Sequence, residues 1–316
     1  MRVAVTGARG RLGRALIAAL EEAPFVGPAG PIAWGRDAFD LDAPAGVGAV
    51  VERDRPEVVI HAAAWTDVDG CAREPGLAMA RNGAATATLA EACAARGVDL
   101  IVISTNEVFD GRRTDGRGYA PNDPSDPINA YGASKLAGER GARAAYGRAE
   151  EAQGHGAEAS PSGAALGIVR TAWLFGPPGN DFPAKILAAA ERAKAAGQPL
   201  RLVADETGSP TYSVDLAEAI AEVVGAAAIE GVHHIVNAGA VSRAGCAREL
   251  LHQAGLDVVT EDVPASTWPR ASTPPAWAVL EPTPLPGGEP MRAWQQALAD
   301  YLPALLRQRT PAGSAG

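Results

Sequence analysis

Short runs of apolar, β-branched residues alternate along the chain with longer Ala-rich segments of helical character. We interpret six of these runs as strands: RVAVTG, PIAWG, EVVIHAAAW, DLIVIST, LGIVRTAW and VHHIVNAG. Helices are predicted in GRALIAALEEA, MARNGAATATLAEACAARG, YGASKLAGERGARAAY and SVDLAEAIAEVVGAA. Strands that read as continuous apolar runs, each followed by a crossover helix, indicate a parallel sheet covered on both faces. The sequence therefore predicts an α/β fold, a doubly wound parallel sheet of the Rossmann type.

The alternation fades near residue 239, where proline becomes frequent before a last helix, MRAWQQALADYLPALLRQ. We therefore expect a smaller C-terminal α/β domain beside the sheet domain. The sheet domain is predicted to comprise residues 1–168 with about 213–238, and the smaller one about 169–212 with 239–308. Residues 147–163 are predicted to form a flexible loop and 309–316 a flexible tail.

The net charge of −9 and the pI near 5.1 argue against binding to nucleic acid or to an anionic membrane. No apolar run approaches the ~20 residues of a membrane span, so we expect a soluble, cytoplasmic protein. The three cysteines have no metal-like or redox spacing and are interpreted as buried, reduced thiols. The histidines form no HExxH motif, no GxSxG motif is present, and no metal site is predicted.

A glycine motif, TGARGRLG, follows the first predicted strand and opens a helix, with Gly7, Gly10 and Gly13 at its fixed positions. At such a position glycines allow a tight turn and let a pyrophosphate approach the N–H groups of the helix N-terminus. We therefore expect a dinucleotide here, the alternative being a Gly-rich turn that binds nothing.

The residue after the second predicted strand bears on the choice of cofactor. An acidic residue there would bind the ribose 2′-hydroxyl of NAD, but the sequence reads WGRD, with Arg36 at this position. Arg36, together with Arg9 or Arg11 of the glycine motif, could bind a 2′-phosphate. This favours NADPH, with NADH as an alternative, unless the three arginines are merely solvated.

Tyr131 and Lys135 are four residues apart in a predicted helix and so share one face. At an effective dielectric near 20, an ammonium about 4 Å from the phenol is worth roughly 4 kcal/mol. We therefore expect Lys135 to lower the pKa of Tyr131 until desolvation opposes it. Thr105 ends a predicted strand, where such folds place their chemistry, and its hydroxyl could bind the same substrate oxygen.

The motifs together resemble the dTDP-4-dehydrorhamnose reductases of the extended short-chain dehydrogenase/reductase superfamily. Besides the glycine motif they are HAAAWTDVD, ISTNEVFDG, NAYGASKLAGE, VRTAWLFG, DETGSPTY and HIVNAGAVSR, in that order. The resemblance runs from residue 1 to about 300 and thins after 240. It implies NADPH-dependent reduction of the C4 ketone of dTDP-4-dehydro-L-rhamnose to dTDP-L-rhamnose, by a monomer or homodimer.

The resemblance also implies roles for individual residues. Thr105, Tyr131 and Lys135 would be the catalytic residues, with Tyr131 as proton donor and Lys135 also holding the nicotinamide ribose. Cofactor contacts are expected from Gly7, Arg9, Gly10, Arg11, Leu12, Gly13, Arg36, Asp40, Leu41, Ala62, Ala63 and Ala64, besides Tyr131 and Lys135. Substrate contacts are expected from Thr66, Val68, Asn106, Glu107 and Trp173. The sheet domain would bind NAD(P) and the smaller domain the sugar nucleotide.

The chain departs from the family pattern at three places. Where the family usually reads S-T-D-Y-V-F-D-G, this chain has Asn106 and Glu107, and the family's Arg-Pro pair is replaced by Pro274 and Pro275. The 147–163 segment is also unusually long. Two alternatives therefore stay open: a reductase or epimerase of another nucleotide-4-keto sugar, and a non-catalytic NADP-binding regulatory subunit of a methionine adenosyltransferase.

Overall fold

The computed structural model describes residues 1–147 and 163–309; the rest of the predicted loop and tail lies outside this part. Its strands are β1 (Val3–Thr6), β2 (Ile32–Trp34), β3 (Val58–His61), β4 (Asp99–Thr105), β5 (Leu166–Thr171), β6 (Leu174–Phe175), β7 (Leu200–Val203), β8 (Thr207–Gly208), β9 (Thr211–Tyr212), β10 (Gly231–His234), β11 (Val241–Ser242), β12 (Thr260–Val263) and β13 (Trp277–Ala278). Its helices are α1 (Arg11–Glu21), α2 (Val47–Asp54), α3 (Val68–Arg73), α4 (Pro75–Ala78), α5 (Ala85–Ala94), α6 (Ala130–Ala145), α7 (Phe182–Ala195), α8 (Ser213–Gly225), α9 (Arg243–Gln253) and α10 (Trp294–Arg309). Short 3₁₀ turns lie at Pro44–Gly46, Asn106–Val108 and Ala265–Thr267, and a π-helical segment at Met79–Ala84.

The central sheet contains six of the described strands, all parallel, in the order β2-β1-β3-β4-β5-β10. Val5 of β1 pairs with Ala33 on one side and with Ile60 on the other. Because the strand order reverses between β1 and β3, a crevice opens at their carboxyl ends, where doubly wound sheets bind ligands. The predicted Rossmann-type sheet is confirmed.

Both faces of the sheet are buried, which explains why its strands read as continuous apolar runs. On one face α1 and α8 pack against β1 and β3, with Leu16 and Ile220 in the core. On the other face α2, α5 and α6 cover the sheet, with Leu89 and Leu100 buried. Each such side chain contributes about 1.5–3 kcal/mol by leaving water.

The remaining strands form three small sheets: β12-β7, β6-β9 and β11-β8-β13. The core beside them is built mainly from α7, α9 and α10, and includes Phe175, Leu187, Leu250, Trp294 and Tyr301. This is the region predicted as the smaller domain, and the exact boundaries proposed for it stay a prediction. No helix in the described ranges is long and apolar enough to cross a bilayer.

A segment that we call the strap, residues 264–276, connects β12 to β13 and touches distant parts of the chain. The N–H of Ser272 donates to Asp69 Oδ1 on α3 (2.9 Å). The carbonyl of Thr273 accepts from the side chain of Asn129, just before α6 (3.1 Å). The strap therefore joins the smaller region to the carboxyl edge of the large sheet.

Candidate active site

The glycine motif forms a turn that other residue types could not form. Gly7 has φ of +64°, and a methyl group on it would lie 2.9 Å from the backbone of Ala63. A methyl group on Gly13 would lie 2.1 Å from the carbonyl oxygen of Gly7. Helix α1 begins directly after Gly10, which provides no side-chain cap, so the first N–H groups of the helix are available to an anion.

A cavity of about 700 Å³ lies beside this turn, at the carboxyl ends of β1, β2 and β3. This volume is in the range of small-molecule sites. The predicted cofactor residues that line it are Gly7, Arg9, Gly10, Arg36, Asp40, Leu41, Ala62, Ala63 and Ala64. Further lining comes from Ala8, Gly35, Asp37, Phe39, Asp42, Trp65 and Arg81, for which the sequence motifs gave no specific signal.

Three predicted cofactor residues at the start of the first helix, Arg11, Leu12 and Gly13, do not line this cavity. The guanidinium of Arg11 donates to the carbonyls of Gly176 and Gly179 and pairs with the buried Asp181 (3.0 Å). These bonds engage the Arg11 side chain within the fold, so Arg9 is the more available of the two alternatives for a 2′-phosphate, and this contact stays a prediction. Leu12 packs into the core and Gly13 backs the turn, so only their backbone could approach a cofactor.

Arg81 forms part of the cavity rim and was missed by the sequence analysis. Its guanidinium donates to both carboxylate oxygens of Asp42 (2.6 and 2.9 Å) and lies 5.1 Å from the ring centroid of Trp65. The hydrogen bonds from Arg81 lower the pKa of the Asp42 carboxyl. A planar cation and an aromatic ring thus border the same side of the cavity.

The three predicted catalytic residues meet at the end of β4. Thr105 is the last residue of β4 and is buried, and its hydroxyl accepts from the N–H of Glu107 (3.2 Å). It also lies close enough to the phenol of Tyr131 to lower the pKa of that phenol slightly, against the larger effect of burial. Lys135 follows one turn later on α6 and is buried. A hydroxyl, a phenol and an ammonium therefore line one edge of the sheet.

The pKa of Tyr131 differs from the prediction. Burial raises it, and the charge of Glu107 raises it further, against the smaller opposite effect of Thr105. The expected net lowering by Lys135 is wrong: burial outweighs the one lowering contribution to this pKa, which comes from Thr105 and not from Lys135. The phenol is accordingly protonated at neutral pH, as a proton donor must be.

Lys135 lies in a low-dielectric environment beside a buried ion pair. Burial lowers the pKa of Lys135 to about 8, and the carboxylate of Glu139 offsets part of this shift. Glu139 is bound by Arg170 on β5 and also accepts from the Ser104 hydroxyl. Glu139, the last residue of the YGASKLAGE motif, therefore helps to hold α6 and Lys135 in position. The sequence analysis did not assign this role.

His61 ends β3 and is fully hydrogen-bonded within the fold. The Thr86 hydroxyl donates to the Asn82 carbonyl (2.8 Å), so His61 Nε2 must donate to Thr86 (3.0 Å). His61 Nδ1 then accepts from the Thr6 hydroxyl (2.8 Å), which itself accepts from the Ala63 N–H. Burial lowers the pKa of His61 to about 3, so it is a neutral structural residue that fixes the Ala63 turn.

The side chain of Asn82 connects Trp65, which lines the first cavity, to Ser134 on α6. Its side chain accepts from the Trp65 N–H (2.8 Å) and donates to the Trp65 carbonyl and to Ser134 (both 3.0 Å). Ser134 in turn donates to the carbonyl of Tyr131 (2.7 Å). Asn82 lies in the π-helical segment, a widened turn often found at functional sites. The sequence analysis read this stretch as ordinary helix and missed the residue.

Three of the predicted substrate residues lie in two different regions of the structure: Trp173 lies near β8, and Thr66 and Val68 lie at the start of α3. Trp173 lies between β5 and β6 with φ of +42°, and the guanidinium carbon of Arg243 lies 3.8 Å from its ring centroid. Its ring also covers Gly208, where a methyl group would lie only 2.5 Å away. Thr66 is exposed before α3, and Val68 begins that helix half-buried. Their contact with a substrate stays a prediction.

The side chains of Asn106 and Glu107 differ in how far hydrogen bonds within the fold already occupy them. Asn106 is buried, accepts from Thr105 (3.2 Å) and donates to the Ala278 carbonyl (3.2 Å), so its amide is used within the fold. Glu107 is half-buried and accepts from Asn129 (2.7 Å). Burial raises the pKa of the Glu107 carboxyl.

A second cavity, of about 440 Å³, opens between α7, β7 and the strap. Its lining includes Arg243 and Arg270, both paired with the buried Glu206, and the exposed ring of Trp268. Phe182, Lys185, Ile186, Arg201, Leu202 and Val203 complete it. Within the described ranges no group of three or more His, Cys, Asp or Glu side chains is placed to hold a metal ion.

Comparisons with known proteins agree with this arrangement over nearly the whole chain. The sequence model of the RmlD substrate binding domain family matches residues 1–307. A dTDP-4-dehydrorhamnose reductase of Streptomyces griseus is 36% identical over 309 residues, 95% of this chain and 93% of the relative. The crystal structure of the Clostridium acetobutylicum reductase matches with a TM-score of 0.84 and 30% identity, covering 97% of this chain and 100% of that chain. The Bacillus anthracis reductase, solved in complex with NADP, matches with a TM-score of 0.79 and 30% identity, covering 95% and 98%.

Proposed function

The chain belongs to the RmlD substrate binding domain family, whose relatives include dTDP-4-dehydrorhamnose reductases, and we propose that it reduces the C4 ketone of dTDP-4-dehydro-L-rhamnose to give dTDP-L-rhamnose. It would act as an NAD(P)H-dependent oxidoreductase of nucleotide-sugar biosynthesis. The observation that carries this proposal is the grouping of Thr105, Tyr131 and Lys135 at the carboxyl end of β4, next to the crevice at the switch point.

The residues around the first cavity fit NADPH. Gly7 leaves the space that a side chain would fill, and the start of α1 offers free N–H groups to a pyrophosphate. Arg9 and Arg36 are exposed on the same cavity and would bind a 2′-phosphate, whereas NADH would leave them without an anion. When bound, the reduced nicotinamide supplies the hydride.

The catalytic side chains would polarise and protonate the ketone. Tyr131 would donate a hydrogen bond to the ketone oxygen, and the Thr105 hydroxyl would do the same by exchanging its bond to Asn106 Oδ1 for one to the substrate; both bonds would make the carbonyl carbon more electrophilic. The phenol proton then passes to the oxygen as the alcohol forms. Lys135, one turn away, would hold the nicotinamide ribose and offset the charge left on the phenol.

The second cavity supports a nucleotide-linked substrate. Two arginines, Arg243 and Arg270, face it and share a single buried carboxylate, Glu206, so positive charge remains for a diphosphate. The exposed ring of Trp268 could stack on the base. The sugar would then lie beside Trp173, between this cavity and Tyr131.

The decisive test follows NADPH oxidation with enzymatically prepared dTDP-4-dehydro-L-rhamnose. Tyr131→Phe should lower turnover by about 10²–10⁴-fold because the proton donor is lost, while NADPH binding, read from nucleotide fluorescence, stays near wild type. Tyr146→Phe is the matched control, since that phenol is buried in the sheet core and donates to the Val98 carbonyl. A Tyr131→Phe enzyme with the full rate would refute the assigned role.

A different dTDP-4-keto sugar is the second candidate substrate. It is favoured by Glu107, which places a carboxyl beside Tyr131 where the family usually has tyrosine. A panel of 4-keto sugars, compared by kcat/KM and by product structure, separates the two candidates.

A further inference from the structure

Glu107 is a titratable group at the catalytic centre that hydride transfer does not require. It stands two residues after Thr105, in the 3₁₀ turn that follows β4. Its N–H donates to Thr105 Oγ1 (3.2 Å), and its carbonyl packs so tightly on α6 that a methyl group at Gly132 would lie 2.0 Å from it. Gly132 directly follows Tyr131. The backbone of Glu107 is thus fixed to both residues that would polarise the ketone.

The carboxylate itself is held by one oxygen and free at the other. Oε2 accepts from Asn129 Nδ2 (2.7 Å), and Asn129 also caps α6 through the Gly132 N–H (2.8 Å). Among the described residues no donor binds Oε1. A carboxylate that is oriented by one hydrogen bond and open at its second oxygen can accept a proton from a ligand.

The carboxyl of Glu107 is linked both to the helix of Tyr131 and to the wall of the second cavity. Asn129, which binds Oε2 of Glu107 and caps α6, also binds the Thr273 carbonyl of the strap. Arg270 of the same strap lines the second cavity. The charge of Glu107 interacts with Tyr131 and with Arg243 and Arg270. In the proposed function the sugar ring would sit beside this carboxyl.

A ketone polarised by Thr105 and Tyr131 is acidified at the carbons next to it. Resting on the proposed function, we propose that Glu107 is a general base that removes the proton from a ring carbon adjacent to the C4 ketone, so that the site also catalyses enolisation of its substrate. The expected outcome is exchange of that proton with solvent. Burial, which raises the pKa of this carboxyl, makes it a stronger base than an exposed glutamate.

The step balances without any oxidant or reductant. The carbon–hydrogen bond breaks, the proton passes to Oε1 of Glu107, and the electron pair forms the carbon–carbon double bond of the enol as Tyr131 gives its proton to the ketone oxygen. In the return step the phenolate regains that proton and Glu107 delivers its own, which has meanwhile exchanged with water, to the carbon.

The test incubates the full-length enzyme with a dTDP-4-keto-6-deoxyhexose in D₂O with NADP⁺, which fills the cofactor site without supplying hydride. Deuterium uptake is followed by mass spectrometry, and its position by NMR. The wild-type enzyme should exchange the proton well above the rate without enzyme. Glu107→Gln, which can still accept from Asn129, should lower the exchange rate by about 100-fold or more, and far more than it lowers NADPH oxidation.

Two comparisons keep the outcomes distinct. Glu52→Gln, a change to an exposed carboxylate on α2 that lies 3.5 Å from Arg96, should leave both rates unchanged. Exchange no faster than without enzyme, or an equal loss of exchange and reduction in Glu107→Gln, would overturn the assignment of Glu107 and leave the reductase proposal intact. Failure of the wild-type enzyme to oxidise NADPH with any keto sugar would instead remove the proposed function.

Discussion

Glu139 and Arg170 form a buried, bidentate ion pair whose carboxylate acts on Lys135. Arg170 Nε lies 3.0 Å from Oε1 of Glu139, and Nη2 lies 2.7 Å from Oε2. The pair joins α6, which carries Tyr131 and Lys135, to β5 of the large sheet. It therefore helps to fix the position of α6 on the sheet.

Removing one partner of this pair should be costly. Glu139→Gln leaves the Arg170 charge buried without its counterion, and we expect a loss of about 3–5 kcal/mol in the free energy of unfolding, measured by urea denaturation. Glu91→Gln, at an exposed position on α5, is the control and should change it by less than about 0.5 kcal/mol. Equal stability of the two variants would contradict a supporting role for the pair.

The burial of Lys135 gives a defined pH dependence of stability. Its pKa is about 8 in the fold and 10.5 as the reference value, so between these pH values the unfolded chain holds a proton that the folded chain has released. Stability from this group therefore rises with pH through that window, by roughly 2–3 kcal/mol. Lys135→Met should lack the rise. Urea unfolding of both proteins at pH 7.5 and 10.5 measures the difference, and an identical pH response would refute the shifted pKa.

Arg36 should determine the preference of the enzyme for NADPH over NADH. It stands exposed on the first cavity, and its loss should raise the KM for NADPH by about 10–100-fold, as expected for a charge-assisted hydrogen bond, without changing the KM for NADH. Arg96→Ala, near the end of α5, is the matched control. A parallel rise for both cofactors would show that Arg36 does not recognise the 2′-phosphate.

The glycine turn makes a steric prediction. Gly13→Ala places a methyl group 2.1 Å from the Gly7 carbonyl and 2.7 Å from Ala8, so α1 must move away from the turn. We expect a destabilisation of about 1–3 kcal/mol and weaker NADPH binding. Gly10→Ala, whose methyl group would approach only the Gly7 carbonyl at 3.2 Å, should keep its stability within about 1 kcal/mol. Calorimetry on both variants tests the contrast.

Trp173 should act on the sugar nucleotide and not on the cofactor. Trp173→Ala removes the ring that Arg243 covers, and we expect the KM for the keto sugar to rise by about tenfold or more, with the dissociation constant for NADPH unchanged. Trp173→Phe should retain part of the contact. A change in NADPH binding alone would mean that the ring supports the fold and does not contact the substrate.

The large sheet was predictable because the pattern that defines its strands is local in sequence and repeats along the chain. Apolar runs such as VVIH between helical segments identify buried parallel strands, and the glycine motif marks the turn after β1. The pairing of Thr105 with Tyr131 also followed from strand ends and helix spacing. The π-helical segment was not predictable, since Met79–Ala84 has the composition of an ordinary helix and the wide turn arises from packing around Asn82.

The side-chain electrostatics could not be derived from spacing either. The spacing of four positions from Tyr131 to Lys135 specifies a shared helix face but not where the ammonium points. Its charge interacts with Glu139, one turn further along α6, and with His61 on β3. Arg11 was likewise assigned by its place in the glycine motif, whereas Asp181, distant in sequence, binds it. The Tyr131 miss comes from burial and the Arg11 miss from a partner far along the chain, and neither is visible in local spacing.

The amide of Asn129 satisfies three groups at once: the first turn of α6, the carboxylate of Glu107 and the Thr273 carbonyl of the strap. Displacement of that amide would therefore disturb the first turn of α6, the Glu107 carboxylate and the strap together. The position of the strap is for this reason coupled through one side chain to the positions of Tyr131 and Glu107.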